Sequence, residues 1–153
     1  MKKRKILTLL VTLFLLASCN EYFSFPADAD DIYYGTLDVD GFSMDAGISL
    51  TENGDSTVDV FFDNVKFAVL MPVKIDITVK NVPCRKDVLF SFEATSVDPY
   101  INKEKAPQPS YRFSSIKGVV EDDELVLSAR MANGLASYVA GKSFSFRGRK
   151  TNN

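Results

Sequence analysis

The chain of 153 residues contains no histidine and no tryptophan, and it has only two cysteines. Without histidine there is no Ser-His-Asp triad, no Cys-His pair and no imidazole ligand for a metal ion. The cysteines are too few for a thiolate zinc site. No glycine-rich phosphate loop follows a strand-like segment, so nucleotide-binding fingerprints are missing as well. We therefore expect a protein that is not an enzyme and that has no cofactor and no metal.

The first eighteen residues are organised like an export signal. A positive stretch, Lys2 to Lys5, precedes an uncharged run of eleven residues at 6–16. In a helix this run would reach roughly 16 Å, about half of a ~30 Å hydrocarbon core. The pattern predicts a signal peptide over residues 1–18 and not a transmembrane helix.

The signal ends in Leu16-Ala17-Ser18-Cys19, which resembles the lipobox of bacterial lipoproteins. The resemblance implies that lipid is attached to the Cys19 thiol and that signal peptidase II cuts between Ser18 and Cys19. Two or three acyl chains on this residue would give stable anchoring, where one chain binds only marginally. We expect residues 19–31 to form a lipidated tether. Asn20 is not the aspartate that retains enterobacterial lipoproteins, so the expected location is the cell envelope at the outer membrane.

The part of the chain that remains after cleavage is acidic. Residues 1–18 carry four of the 18 Lys and Arg and none of the 20 Asp and Glu, so the other 135 residues have a net charge of −6. Phosphate contacts need clustered Lys and Arg, and we expect no nucleic-acid partner. The same net charge argues against binding to an anionic lipid surface without the lipid anchor.

From Tyr33 onward, apolar and polar residues alternate with a period of two, which is typical of strands with one buried face. A shift of phase at Asn64 indicates a β-bulge. Pro83 predicts a turn, with Cys84 beside it as a partly buried small side chain. The pattern predicts eight strands, at residues 33–40, 42–50, 58–69, 73–79, 88–95, 111–120, 125–131 and 143–149.

Short turns between successive strands, such as Asp40-Gly41 and Asn53-Gly54, favour an up-and-down meander. Closing the meander into a barrel leaves no unpaired edge strand. The predicted fold is all-β, an eight-stranded antiparallel up-and-down β-barrel over residues 32–150. Within that region, the Pro72 strand accompanies three short motifs: Tyr34-Gly35-Thr36-Leu37, Thr57-Val58-Asp59-Val60 and Ser143-Phe144-Ser145-Phe146-Arg147-Gly148. On these residues the region resembles the calycin-like β-barrel lipoproteins of Bacteroidetes, with lipocalins as distant analogues. The resemblance implies a fold and an anchor more than an activity.

The alternation predicts which side chains line the barrel interior. They are Phe42, Met44, Ile48, Phe62, Ile75, Ile77, Phe90, Phe92, Phe113, Leu127, Phe144 and Phe146. A barrel of eight strands is either filled by its own side chains or holds one small ligand. The long loop at 98–110, stiffened by three prolines, either covers a barrel mouth or faces a partner.

Two hypotheses follow from these features. The first is a membrane-anchored envelope lipoprotein whose barrel binds a small hydrophobic ligand or an envelope protein. The alternative is a packed barrel that serves as an accessory or structural subunit of an outer-membrane or cell-surface complex, without a small-molecule ligand.

Overall fold

The computed structural model describes residues 25–69, 71–135 and 138–152. The predicted signal peptide, the cleavage site between Ser18 and Cys19, and the start of the tether lie outside the described residues. Within the described residues, a short 3-10 helix at Pro109–Tyr111 accompanies nine strands. The strands are β1 (Asp31–Val39), β2 (Phe42–Asn53), β3 (Thr57–Val65), β4 (Ile75–Lys86), β5 (Phe90–Val97), β6 (Tyr100–Ile101), β7 (Phe113–Glu121), β8 (Glu124–Met131) and β9 (Ser143–Lys150).

The eight long strands form a closed antiparallel barrel. Each pairs with its neighbours in the order β1-β2-β3-β4-β5-β7-β8-β9, and β9 pairs back onto β1. The two-residue strand β6 adds to the edge of β4, where Ile101 pairs with Ile77. The predicted all-β, eight-stranded up-and-down barrel is confirmed, and its architecture is consistent with a calycin-like fold.

Two bulges adjust the seam between β3 and β4. The predicted bulge at Asn64 is confirmed, since Phe62 pairs with Ile77 but Val65 pairs with Ile75, and Asn64 has a φ of 49°. The Asn64 amide donates to the Asp76 carboxylate at 3.0 Å. The extra residue lets Val65 return to the inner face of the barrel.

The predicted turn at Pro83 is wrong, because β4 runs through it to Lys86. A second bulge at Asn81, with a φ of 56°, shifts the phase of β4 so that the next inward residue is Val82. This bulge breaks the alternation after Val79, which is why the sequence pattern ended the strand there. Cys84 lies within β4, half buried against the core, and burial raises the pKa of its thiol.

The barrel interior is filled by side chains from all eight long strands. Four rings, named here the aromatic plug, contact one another in series from Phe62 through Phe113 and Phe144 to Phe67, with centroids 5.4–6.3 Å apart. Glycines on the inner face make room for other rings: a Cβ on Gly118 would lie 2.1 Å from the Phe92 ring.

The loops and turns that connect successive strands are named here joints. Because the strands alternate in direction, the joints lie alternately at the two ends of the barrel. One end, named here the loop end, carries the joints at 40–41, 66–74, 98–112 and 132–142. The opposite end, named here the turn end, carries the tight joints at 54–56, 87–89 and 122–123, together with the start of β1 and the end of β9. Long loops therefore gather at a single end.

The segment before β1 packs against the outer wall of the barrel. The Phe25 ring lies 5.7 Å from the Tyr34 ring and 6.1 Å from the ring of Phe61, which is buried although it is not part of the inner core. The Asp30 amide donates to the Leu50 carbonyl at 3.0 Å, and its carboxylate accepts from the Glu52 amide at 2.7 Å. The last residues of the predicted tether are thus docked on the barrel.

A methyl group at Gly35 should destabilise the barrel through the β1–β9 seam. A Cβ there would lie 2.0 Å from the Arg147 carbonyl oxygen, so the two strands would have to separate. We expect Gly35→Ala to lower the free energy of unfolding by about 1–3 kcal/mol, the usual cost of overpacking. Gly54→Ala is the matched control, since nothing lies within 4 Å of a Cβ at that position. Equal denaturation midpoints for the two variants would contradict this packing.

Candidate functional site

The loop end holds a cavity of about 640 Å³. This volume lies within the range of about 300–1,000 Å³ that is usual for small-molecule sites. Its walls come from three different joints of the loop end and from the adjoining ends of β4 and β6. The lining residues are Ala68, Met71, Pro72, Val73, Ile75, Ile101, Asn102, Glu104, Gln108, Tyr111 and Tyr138.

The aromatic plug lies between this cavity and the barrel interior. Tyr111 lines the cavity, and its ring stacks on Phe67 with centroids 5.7 Å apart. Phe67 in turn contacts Phe144 edge to face at 5.4 Å. Since Phe67 and Phe144 are buried, the cavity has an aromatic floor and does not continue into the centre of the barrel.

The residues predicted to line the interior lie mostly in the packed core. Met44 and Phe90 are half buried and pack against that core, and Phe42 is half buried. Ile75 alone of the predicted set lines the loop-end cavity. The fully buried members are Ile48, Phe62, Ile75, Ile77, Phe92, Phe113, Leu127, Phe144 and Phe146.

Two tyrosines join neighbouring loops across the cavity. Tyr111, from the loop at 98–112, forms a side-chain hydrogen bond with Tyr138 of the loop at 132–142, and this bond together with burial raises the pKa of Tyr111 to about 12. Tyr138 is half exposed. The pair places hydroxyl groups at the rim of a cavity that is otherwise largely apolar.

The loop at 98–112 is held closed at its base. Arg112 binds Asp98 through two hydrogen bonds, from Nε at 2.6 Å and from Nη2 at 2.9 Å, and this contact holds the pKa of the Asp98 carboxyl below its usual range. The backbone amide of Gln108 donates to the Pro99 carbonyl at 2.7 Å. The Arg112 carbonyl accepts from the Ala132 amide at 2.8 Å, which ties this loop to the next one. The loop is therefore a preformed wall of the cavity.

The chemistry that the cavity offers is that of a binding site. Glu104 is the one lining residue with a formal charge, and its carboxylate hydrogen bonds with the Gln108 amide group. Within the described ranges, no group of three or more His, Cys, Asp or Glu could hold a metal ion. Over the same residues, no helix is long and apolar enough to cross a membrane. The loop at 98–110, which the sequence singled out, supplies part of this site, but the lining residues of the other two loops were missed, because loop residues have no periodicity.

Comparison with known proteins found no match. No family model, curated protein or solved structure matches the chain.

The ion pair between Arg112 and Asp98 at the base of the loop is named here the clasp. Removing it should loosen the cavity wall. We expect Arg112→Ala to speed hydrogen exchange at the backbone amides of Gln108 and Ala132 by at most about fivefold, since an exposed ion pair contributes only modestly to stability. Arg147→Ala, which removes the pair with Glu124 at 3.4 Å on the barrel wall, is the matched control. Unchanged exchange in Arg112→Ala would show that the clasp does not hold the loop.

The hydrogen bond between Tyr111 and Tyr138 should make the stability of the protein depend on pH. The folded state raises the pKa of Tyr111 from the ordinary 10 to about 12, so its contribution to stability is complete below pH 10 and is lost as the pH rises toward 12. Tyr138→Phe should move the titration of Tyr111 back toward pH 10, as measured by phenolate absorbance, with Tyr111→Phe to assign the signal. The idea fails if Tyr111 titrates as before in that variant.

Proposed function

We propose that the protein is a lipid-anchored envelope protein whose barrel binds a small apolar molecule in the loop-end cavity. The cavity itself supports this proposal most strongly. It is preformed, it is lined by side chains from three loops, and it lies above a packed aromatic floor. Sites of this kind are the usual places where small molecules bind.

The lining favours a ligand without a negative charge. One wall is aliphatic, from Met71, Val73 and Ile101, and the polar groups are the two tyrosines and the amides of Asn102 and Gln108. An anionic head group would meet Glu104 and no lining cation. A neutral apolar molecule with one or two hydrogen-bonding groups fits this chemistry best.

The anchoring part of the proposal comes from the sequence. The basic stretch, the apolar run and the lipobox occur in the order that lipidation at Cys19 requires. Only residues 20–24 separate that cysteine from Phe25, which is docked on the barrel wall. In this proposal the outer membrane is the location, and the barrel is held close to its surface.

The packed interior supports a second candidate function. Every long strand contributes side chains to the buried core, as a purely structural barrel would require. In that case the protein is an accessory subunit of an envelope complex, and the loop end is a contact surface for a protein partner.

Native mass spectrometry separates the two candidates. The barrel is contained in residues 25–152, so the lipid-free chain 20–153 retains it. After mixing with an envelope lipid extract, we expect one discrete added mass.

Ala68→Phe, which fills the cavity, should reduce its occupancy at least about tenfold, as expected when about 1.4 kcal/mol of binding is lost. The matched control Val88→Phe, at an exposed position of the turn end, should leave it unchanged. A bare mass, or an adduct that Ala68→Phe does not affect, would rule out the cavity as the ligand site.

A further inference from the structure

The rim of the loop end exposes apolar side chains. Val69 is 62% exposed, Val73 is 59% exposed and Tyr138 is 49% exposed. Val73 and Tyr138 also line the cavity, so the exposed surface and the cavity opening are continuous. Apolar side chains grouped around an opening are typical of surfaces that meet a partner or a membrane.

The two ends of the barrel differ in charge. The joints of the loop end, at 40–41, 66–74, 98–112 and 132–142, contain six Lys or Arg and three Asp or Glu, a net charge of +3. The joints of the turn end, at 54–56, 87–89 and 122–123, contain four Asp and no Lys or Arg, a net charge of −4. The joints at the two ends therefore carry net charges of opposite sign, which the net charge of the chain does not show.

The positive residues lie beside the apolar ones. Lys74 is exposed and directly follows Val73, while Lys103 and Lys105 flank Glu104 at the cavity. A surface with apolar side chains at its centre and lysines around them matches an anionic bilayer, where apolar groups enter the interface and cations meet head groups.

We propose that the loop end docks on the surface of an anionic phospholipid bilayer. In this orientation Val69, Val73 and Tyr138 enter the interface, Lys74 and Lys105 contact phosphate groups, and the acidic turn end points away from the membrane. The cavity then opens onto the bilayer, so an apolar ligand can move between the two without crossing water.

The position of the N-terminal segment is compatible with this orientation. Phe25 lies on the outer wall in a groove that it shares with Lys103 and Glu104 of the loop end. The six residues 19–24 span up to about 20 Å when extended. This step rests on the proposed lipidation at Cys19, whereas the docking surface itself does not.

Tryptophan fluorescence tests the proposal cleanly, because the chain has no native Trp. The probes are Val73→Trp at the loop end and Val88→Trp, which replaces a 99% exposed valine at the turn end. Both are made in the lipid-free chain 20–153 and mixed, without any apolar ligand, with vesicles of phosphatidylcholine containing one quarter phosphatidylglycerol. We expect the Val73→Trp emission to shift to the blue and the Val88→Trp emission to stay unchanged. Salt at about 0.5 M, which screens surface charge, should abolish the shift.

Charge reversal supplies the second arm. Lys74→Glu with Lys105→Glu should weaken vesicle partitioning of the Val73→Trp protein at least about tenfold, since each lysine near such a surface contributes appreciably. Arg85→Glu with Lys117→Glu changes the net charge equally on the barrel wall and should have little effect.

Three results would overturn the proposal: an equal shift of both probes, no shift of Val73→Trp, or a vesicle-independent shift that grows with protein concentration. The last would identify a second copy of the chain as the occupant. Since no apolar ligand is present, failure here leaves the native mass spectrometry result standing, and the reverse also holds.

Discussion

The pairing of β3 with β4 closes the sheet, and the rest of the structure depends on that closure. It requires two bulges, at Asn64 and Asn81, each with a residue in the left-handed region. Closure pairs the long strands on both sides and turns their inner faces toward one another. A barrel of eight strands is just wide enough to be filled by side chains, and here phenylalanine rings fill it.

A filled interior moves any binding space to the ends of the barrel. The up-and-down order places three long joints at one end and only tight turns at the other. The long joints supply the cavity walls, the clasp between Asp98 and Arg112, and the exposed side chains of Val69 and Val73. The same division separates the charges, so the proposed ligand site and the proposed membrane-facing surface coincide at the loop end.

Much of the fold could be predicted from the sequence, because alternation with a period of two reports directly on which face of a strand is buried. The eight long strands and the bulge at Asn64 were predicted in this way. The continuation of β4 through Pro83 could not be, because the bulge at Asn81 interrupts the alternation that defines a strand. The additional strand β6 has only two residues, too few for any periodic signal.

The candidate site was less predictable than the fold. Alternation identified interior residues such as Phe62 and Leu127, which are core, whereas Tyr111 and Met71 lie in loops without periodicity. The distribution of charge between the two ends was likewise less predictable from the sequence than the fold. A net charge of −6 for residues 19–153 argued against contact with anionic lipid, but only the fold shows which charges share an end.

We conclude that the barrel interior is full and that ligand space exists at the loop end. Methyl-labelled NMR of the barrel, titrated with a small apolar probe such as xenon, distinguishes the two locations. We expect shifts at the methyl groups of Met71, Ile75 and Ile101, which line the cavity, and none at those of Ile48, Ile116 and Leu127 in the core. Comparable shifts at the core methyl groups would show that the interior itself takes up ligand and is not full.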